Sequence, residues 1–191
     1  MQTSASRIAK KLVISLMAIV LLTIAGIKTV VVWRNHISKA NEAYVGLWSD
    51  DGWDRKQGQK VSVIEVAAAL NDGADVNKRD RLGETRLMAA ARSGNVACVD
   101  LLISKKTNVN LQDRDGDTAL ICAAERGNLG CVRSLLTHGA DVNMLDRFGR
   151  TPLRRAVRSR NVACAAFLVS HGADANATDC EGGTALSCAI K

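Results

Sequence analysis

From residue 61 onward, apolar and polar positions recur along the chain with a fixed period of 33 residues. Gly83, Gly116, Gly149 and Gly182 keep that step, as do Thr85, Thr118, Thr151 and Thr184. Leu87, Leu120, Leu153 and Leu186 form a third column, and Ala90, Ala123, Ala156 and Ala189 a fourth. Each copy opens on D-x-x-G-x-T, a tight-reversal signal in which glycine supplies positive φ. In the copy 113–145, Leu120, Ala123 and Ala124 mark one face of a first helix that Gly127 closes. Asn128 starts the next element, and Val132, Leu135 and Leu136 mark a second helix that Gly139 ends. Ala140, Asp141 and Asn143 then lead out into a turn. A fixed period of this size means stacked supersecondary units, each contacting mainly its neighbours.

The register sets the boundaries. Complete copies run over 80–112, 113–145 and 146–178. Before them, 61–79 supplies a second helix and a closing turn; after them, 179–191 supplies an opening turn and a first helix. The outer face of the third copy is therefore expected either to fray or to be covered by a partner. Lys106 stands where the other copies have glycine, so the first closing turn should be strained or built differently.

A different pattern precedes the repeats. Residues 1–11 are a basic tail with Arg7, Lys10 and Lys11 and no acid. Residues 12–27 carry no charge, and after Lys28 the apolar run continues to Trp33. As a helix, 12–33 would span about 33 Å, enough for a bilayer core of about 30 Å. A membrane anchor is the favoured reading, and a signal sequence cut after Ala25 is the alternative. Either puts the N-terminus in the cytoplasm and the repeats on the extracytoplasmic, periplasmic side, as a single-pass protein or as an exported soluble one. Residues 34–60 form a polar linker, with a short helix expected over 38–48 and Trp48 and Trp53 flanking a turn.

Composition narrows the function. The net charge is +7, but residues 1–60 hold nine Lys/Arg against four Asp/Glu, so most of the excess lies outside the repeats. No basic run with interleaved aromatics occurs there, and nucleic acid is not an expected partner. Of the six cysteines, Cys98, Cys131 and Cys164 share one column and Cys122 and Cys188 another. Equivalent positions on stacked helices lie roughly 8–10 Å apart, beyond the roughly 7 Å limit for a disulfide. They read as small buried hydrophobes. Cys180, in a turn, is the one expected to be exposed. No zinc-ligand spacing is present, and no metal or other cofactor is expected.

The motifs TRLMAA (85–90), TALICA (118–123), TPLRRA (151–156) and TALSCA (184–189), with G-A-D-x-N at 73–77, 139–143 and 172–176, resemble the ankyrin repeat over residues 61–191. That resemblance implies an all-α solenoid of stacked helix-turn-helix units with β-turn or hairpin tips. Here it would be preceded by a single hydrophobic helix. The family's histidine is missing from all four motifs, which removes a side-chain hydrogen bond from each repeat.

No catalytic constellation is present. His138 and His171 recur before glycine as repeat features, and no Ser, Cys or acid sits in a nucleophile motif. An enzyme and a small-molecule substrate are therefore not expected. What the resemblance implies is a protein partner held by the tips and by the exposed side of the first helices. At the tips stand Arg81, Leu82, Arg114, Asp115, Leu145, Arg147 and Phe148. On the first helix of the third repeat come Arg150, Arg154, Arg155 and Arg158. With Arg147 and Arg160 they make six arginines in fourteen residues, and no acid follows Asp146 there. Such a face suits a partner with an acidic surface. The expected protein is thus a membrane-anchored, non-catalytic protein-binding module. One alternative is an exported immunity or inhibitor protein that neutralises a secreted toxin effector such as a lipase. Another is a scaffold or protective partner of a membrane or envelope enzyme.

Overall fold

A computed structural model describes residues 63–190 and, before them, Lys39 alone. The expected basic tail, apolar span 12–33 and most of the linker, with its short helix and two tryptophans, lie outside the described residues. Among the described residues no helix is long and apolar enough to cross a membrane.

Every regular element among the described residues is a helix: α1 (Val63–Asn71), α2 (Arg86–Ser93), α3 (Val96–Ser104), α4 (Ala119–Arg126), α5 (Leu129–Thr137), α6 (Pro152–Arg158), α7 (Val162–Ser170) and α8 (Ala185–Ala189). One isolated antiparallel bridge joins Arg79 and Thr85. The inner helices α2, α4, α6 and α8 stack on one another, and so do the outer helices α1, α3, α5 and α7. Among the described residues α1 is thus an outer helix and α8 an inner helix for which no paired helix is described.

The repeated columns make these helices for identifiable reasons. Thr85, Thr118, Thr151 and Thr184 are N-caps whose side chains accept from the backbone three residues on, satisfying a donor that the helix leaves free. Pro152 sits in the first turn of α6, where its missing N–H costs nothing. Gly94 and Gly127 end α2 and α4 in the left-handed conformation, with φ of 74° and 72°. Between the helices of each pair, Asn128 and Asn161 work across repeats. Their Nδ2 groups donate to Ala91 O and Arg92 O, and to Ala124 O and Glu125 O, the end of the preceding inner helix.

The core is the set of columns seen in the sequence. Leu87, Leu120 and Leu153 are buried, as are Ala90, Ala123 and Ala156, and Cys98, Cys131 and Cys164 on the outer helices. Leu186, in the same column as Leu87, is 68% exposed, since among the described residues no outer helix packs on α8. All six cysteines are free thiols. Four are buried, Cys188 is half-buried and Cys180 is exposed. Burial pushes the Cys98 thiol up to about 11 and Cys122 up to about 12, the latter against the pull of the Arg92 guanidinium. Lys106 takes φ 62°, so the first closing turn is built on a left-handed lysine, a conformation that costs a side-chain-bearing residue roughly 1–2 kcal/mol.

Candidate partner-binding surface

The turn at the head of each repeat is held by its aspartate. Asp80 Oδ1 accepts from Leu82 N and Glu84 N at 2.8 Å, and Asp113 Oδ1 accepts from Asp115 N and Asp117 N at 2.9 Å. Asp146 does the same for Phe148 N and Arg150 N, and Asp179 for Glu181 N and Gly183 N. Successive turns are then stitched together by Arg114 N to Leu82 O, Arg147 N to Asp115 O and Cys180 N to Phe148 O, all at 3.0 Å. The D-x-x-G segments therefore form a ladder along one edge of the stack. The two residues between Asp and Gly project from it: Arg81 and Leu82, Arg114 and Asp115, Arg147 and Phe148, Cys180 and Glu181. A second ladder runs through the closing turns, where Asn110 Oδ1 accepts from Asp141 N and Asn143 Oδ1 from Asp174 N.

The tip residues singled out in the sequence are exposed. Leu82 is 51% exposed, Leu145 48% and Phe148 44%. Phe148 is not left to solvent alone. The Arg147 guanidinium lies 4.5 Å from its ring centroid and that of Arg150 4.3 Å, a double cation–π arrangement. Arg147 also pairs with Asp115 at 2.6 Å, and both are more than half exposed, so this pair contributes little to stability. Arg150 Nε donates to Asp146 at 2.8 Å, and Asp146 is fully covered. The result is a half-exposed ring with two guanidiniums against it.

The arginine-rich first helix of the third repeat departs from the expected exposed face. Arg155 is buried, and its guanidinium meets Asp117 at 2.7 Å, Glu125 at 2.8 Å and Asp146 at 3.1 Å. Burial raises the Asp117 carboxyl above its ordinary range, against the pull of Arg155. Burial would lower Arg155, but Asp117 and the two further acids outweigh it. Arg154 is largely covered too. It pairs with Asp179 and donates to Thr184 O at 2.9 Å. The physical reason is stacking: positions three and four of α6 turn towards the neighbouring repeats, where the turn aspartates wait. Arg155 and Arg154 therefore hold the third repeat between its neighbours instead of standing free for a partner. Arg158, one turn further along, is exposed.

A family model of ankyrin repeats in three copies matches residues 57–146 and 130–191. The chain belongs to the ankyrin-repeat family. No curated protein matches it. Ankyrin repeats make the described array a protein-binding module. The position of the family's histidine is held here by Met88, Ile121, Arg154 and Ser187, and the lost hydrogen bond is replaced unevenly. Ser187 Oγ accepts from Thr184 N at 3.0 Å, and Met88 Sδ receives Thr85 N at 3.4 Å. Arg154 reaches instead to the next ankyrin repeat. Among the described residues no group of three or more His, Cys, Asp and Glu could hold a metal ion. His138 and His171 cap α5 and α7, their Nδ1 atoms 2.8 Å from Ser134 O and 2.9 Å from Phe167 O.

Some residues that matter to this surface were not visible in the sequence. Glu84 is buried and pairs with Arg92 at 2.8 Å, one repeat before the Arg155 cluster. Asp117 and Asp146 are buried acids within runs that read as polar turns. The only available signal was Asp117 standing at the position held by Arg150 one repeat on, a change of sign in one column.

Proposed function

We propose that this protein is a membrane-anchored ankyrin module that captures another protein on its tip ladder and has no catalysis of its own. The observation that carries the reading is the exposed apolar tip of the third repeat. Phe148 carries the Arg147 and Arg150 guanidiniums against its ring, with Leu145 beside it in sequence and Leu82 two rungs away on the same edge. Rigid aromatic and arginine anchors ringed by near-neutral contacts are what binding hot spots favour. The anchor is read from residues 12–33 and their basic flank, with the repeats facing the extracytoplasmic side.

The test is affinity capture of the full chain from detergent-solubilised membranes, with partners identified by mass spectrometry. Wild type should retain a specific protein that a Leu82→Ser/Leu145→Ser/Phe148→Ser chain loses. Unchanged capture by that variant would place binding elsewhere. Intact-mass measurement on the purified chain decides between an anchor and cleavage after Ala25.

A further inference from the structure

Arg160 stands where the two preceding repeats carry Gly94 and Gly127. All three residues are left-handed, with φ of 74°, 72° and 58°. In the first two repeats the glycine is required twice over. A Cβ at Gly94 would lie 2.7 Å from Asn128 Oδ1, and one at Gly127 2.6 Å from Asn161 Oδ1. Both are far inside the ~3.5 Å of an ordinary contact. These asparagines belong to the next repeat and are the ones that cap the preceding inner helix. Arg160 does carry a Cβ. An asparagine seated on the third repeat in the same way would collide with it, so this face is shaped against a further repeat of the same geometry.

The same face holds a cavity of about 1060 Å³. Phe148, Val157, Val162 and Ala165 contribute to its apolar lining, and Val162 is 76% exposed. Arg158 and Arg160 also line it. Their guanidiniums have no ion pair or hydrogen bond among the described residues, whereas Arg150, Arg154 and Arg155 are each paired to an aspartate. Asp179 is taken by Arg154, which leaves the exposed Glu181 against two free arginines. The rim therefore keeps a positive excess over an aliphatic floor.

We propose that this groove takes an acidic, aliphatic peptide segment of a partner protein. Its carboxylates pair with Arg158 and Arg160, and its aliphatic side chains lie on Val157, Val162 and Ala165. Two guanidiniums close to an uncovered apolar surface form stronger, better-directed pairs with carboxylates than they would in open water. The inference rests on the array being a protein-binding module; the groove shares Phe148 and Arg150 with the tip surface but does not include Leu82 or Leu145.

The test is fluorescence anisotropy of the full chain with short labelled helical peptides of Leu, Ala and Glu at varied spacing. Acidic peptides should bind, and their Gln counterparts should lose about tenfold in affinity or more, a difference of about 1.4 kcal/mol. An Arg158→Glu/Arg160→Glu chain should release the acidic peptides and bind the Lys-for-Glu counterparts. A Leu82→Ser/Leu145→Ser chain should keep peptide binding even where it loses membrane capture, which separates failure of the tip surface from failure of the groove. The proposal is overturned if no acidic peptide binds or if Glu and Gln peptides bind alike. It also falls if the charge reversal changes nothing, or if the tip variant abolishes peptide binding. Phosphatidylglycerol vesicles that bind in place of every peptide, and are lost on reversal, would overturn it in favour of an anionic membrane surface.

Discussion

Arg155 Nη2 donates to both carboxylate oxygens of Asp117, at 2.7 and 3.0 Å, across 38 residues of sequence. The same guanidinium meets Glu125 and Asp146, so one side chain ties the second repeat to the third through Asp117 and Glu125 and braces Asp146 in the opening turn of its own repeat. Replacing Arg155 by Met would leave Asp117 buried without its cation, while Asp146 keeps Arg150, a loss of about 3–5 kcal/mol. Arg155→Lys keeps the charge but not the fork and should fall in between. Urea unfolding of the two variants checks this ordering, and equal midpoints for wild type and Arg155→Met would refute it.

Gly127→Ala should be costly. The alanine would have to take φ near 72° and place its Cβ 2.6 Å from Asn161 Oδ1, displacing a side chain that caps two carbonyls. Backbone strain of roughly 1–2 kcal/mol and lost part-buried hydrogen bonds of about 1 kcal/mol give a loss of about 2–3 kcal/mol together. Thermal unfolding measures it, and a loss below the strain term alone would mean that Asn161 is not a structural cap.

Lys106→Gly should act in the opposite sense. It relieves the left-handed lysine at φ 62°. The gain is held to roughly 0.5–1 kcal/mol because glycine also adds freedom to the unfolded chain. The melting temperature should rise by about 2–4 °C per kcal/mol for a chain of this size. A lower melting temperature would show that the lysine side chain contributes more than its backbone costs.

Alkylation should sort the cysteines. At pH 8 a thiol pushed up to about 11 or 12, as at Cys98 and Cys122, is thiolate to only about one part in a thousand or less. Burial blocks it further. Cys180 is exposed and should react first with iodoacetamide. Peptide mass mapping of the native protein reads the order, and labelling of Cys122 at a rate matching Cys180 would contradict the stacked core.

The last turn should respond to acid. Asp179 is held below its ordinary pKa chiefly by the Gly183 N–H, with the Glu181 N–H and Arg154 adding to it against the cost of burial. Its folded value lies below its unfolded one, so its stabilising contribution is complete above the unfolded carboxylate range. That contribution is lost as pH falls through the lower, folded value. Amide exchange in Ala185–Ala189 should therefore accelerate in that acid window, and Asp179→Asn should show faster exchange already at neutral pH. Protection unchanged by either would show that α8 does not depend on this turn.

The period, the helix pairs, their caps and the buried Leu, Ala and Cys columns were all determined by the sequence alone. Each is a local or nearest-neighbour property repeated in register, and a one-dimensional stack turns sequence period directly into contact. The strain at Lys106 and the exposure of Phe148, Leu145 and Cys180 were legible for the same reason: each departs from a column whose other members define what the position needs. The roles of the arginines were not. Arg147, Arg150, Arg154, Arg155 and Arg158 look alike as a run of charge, yet the stack buries Arg155 among three acids, pairs Arg154 with Asp179 and leaves Arg158 exposed. Only tertiary structure decided this, because the partners of a long charged side chain lie roughly one repeat away and are chosen by which face of α6 meets which turn. The same holds in part for Arg160. Its departure from the Gly94 and Gly127 column is as legible as that of Lys106 from its own, but the consequence for the next repeat appears only once Asn128 and Asn161 are seen occupying the space where a side chain would stand.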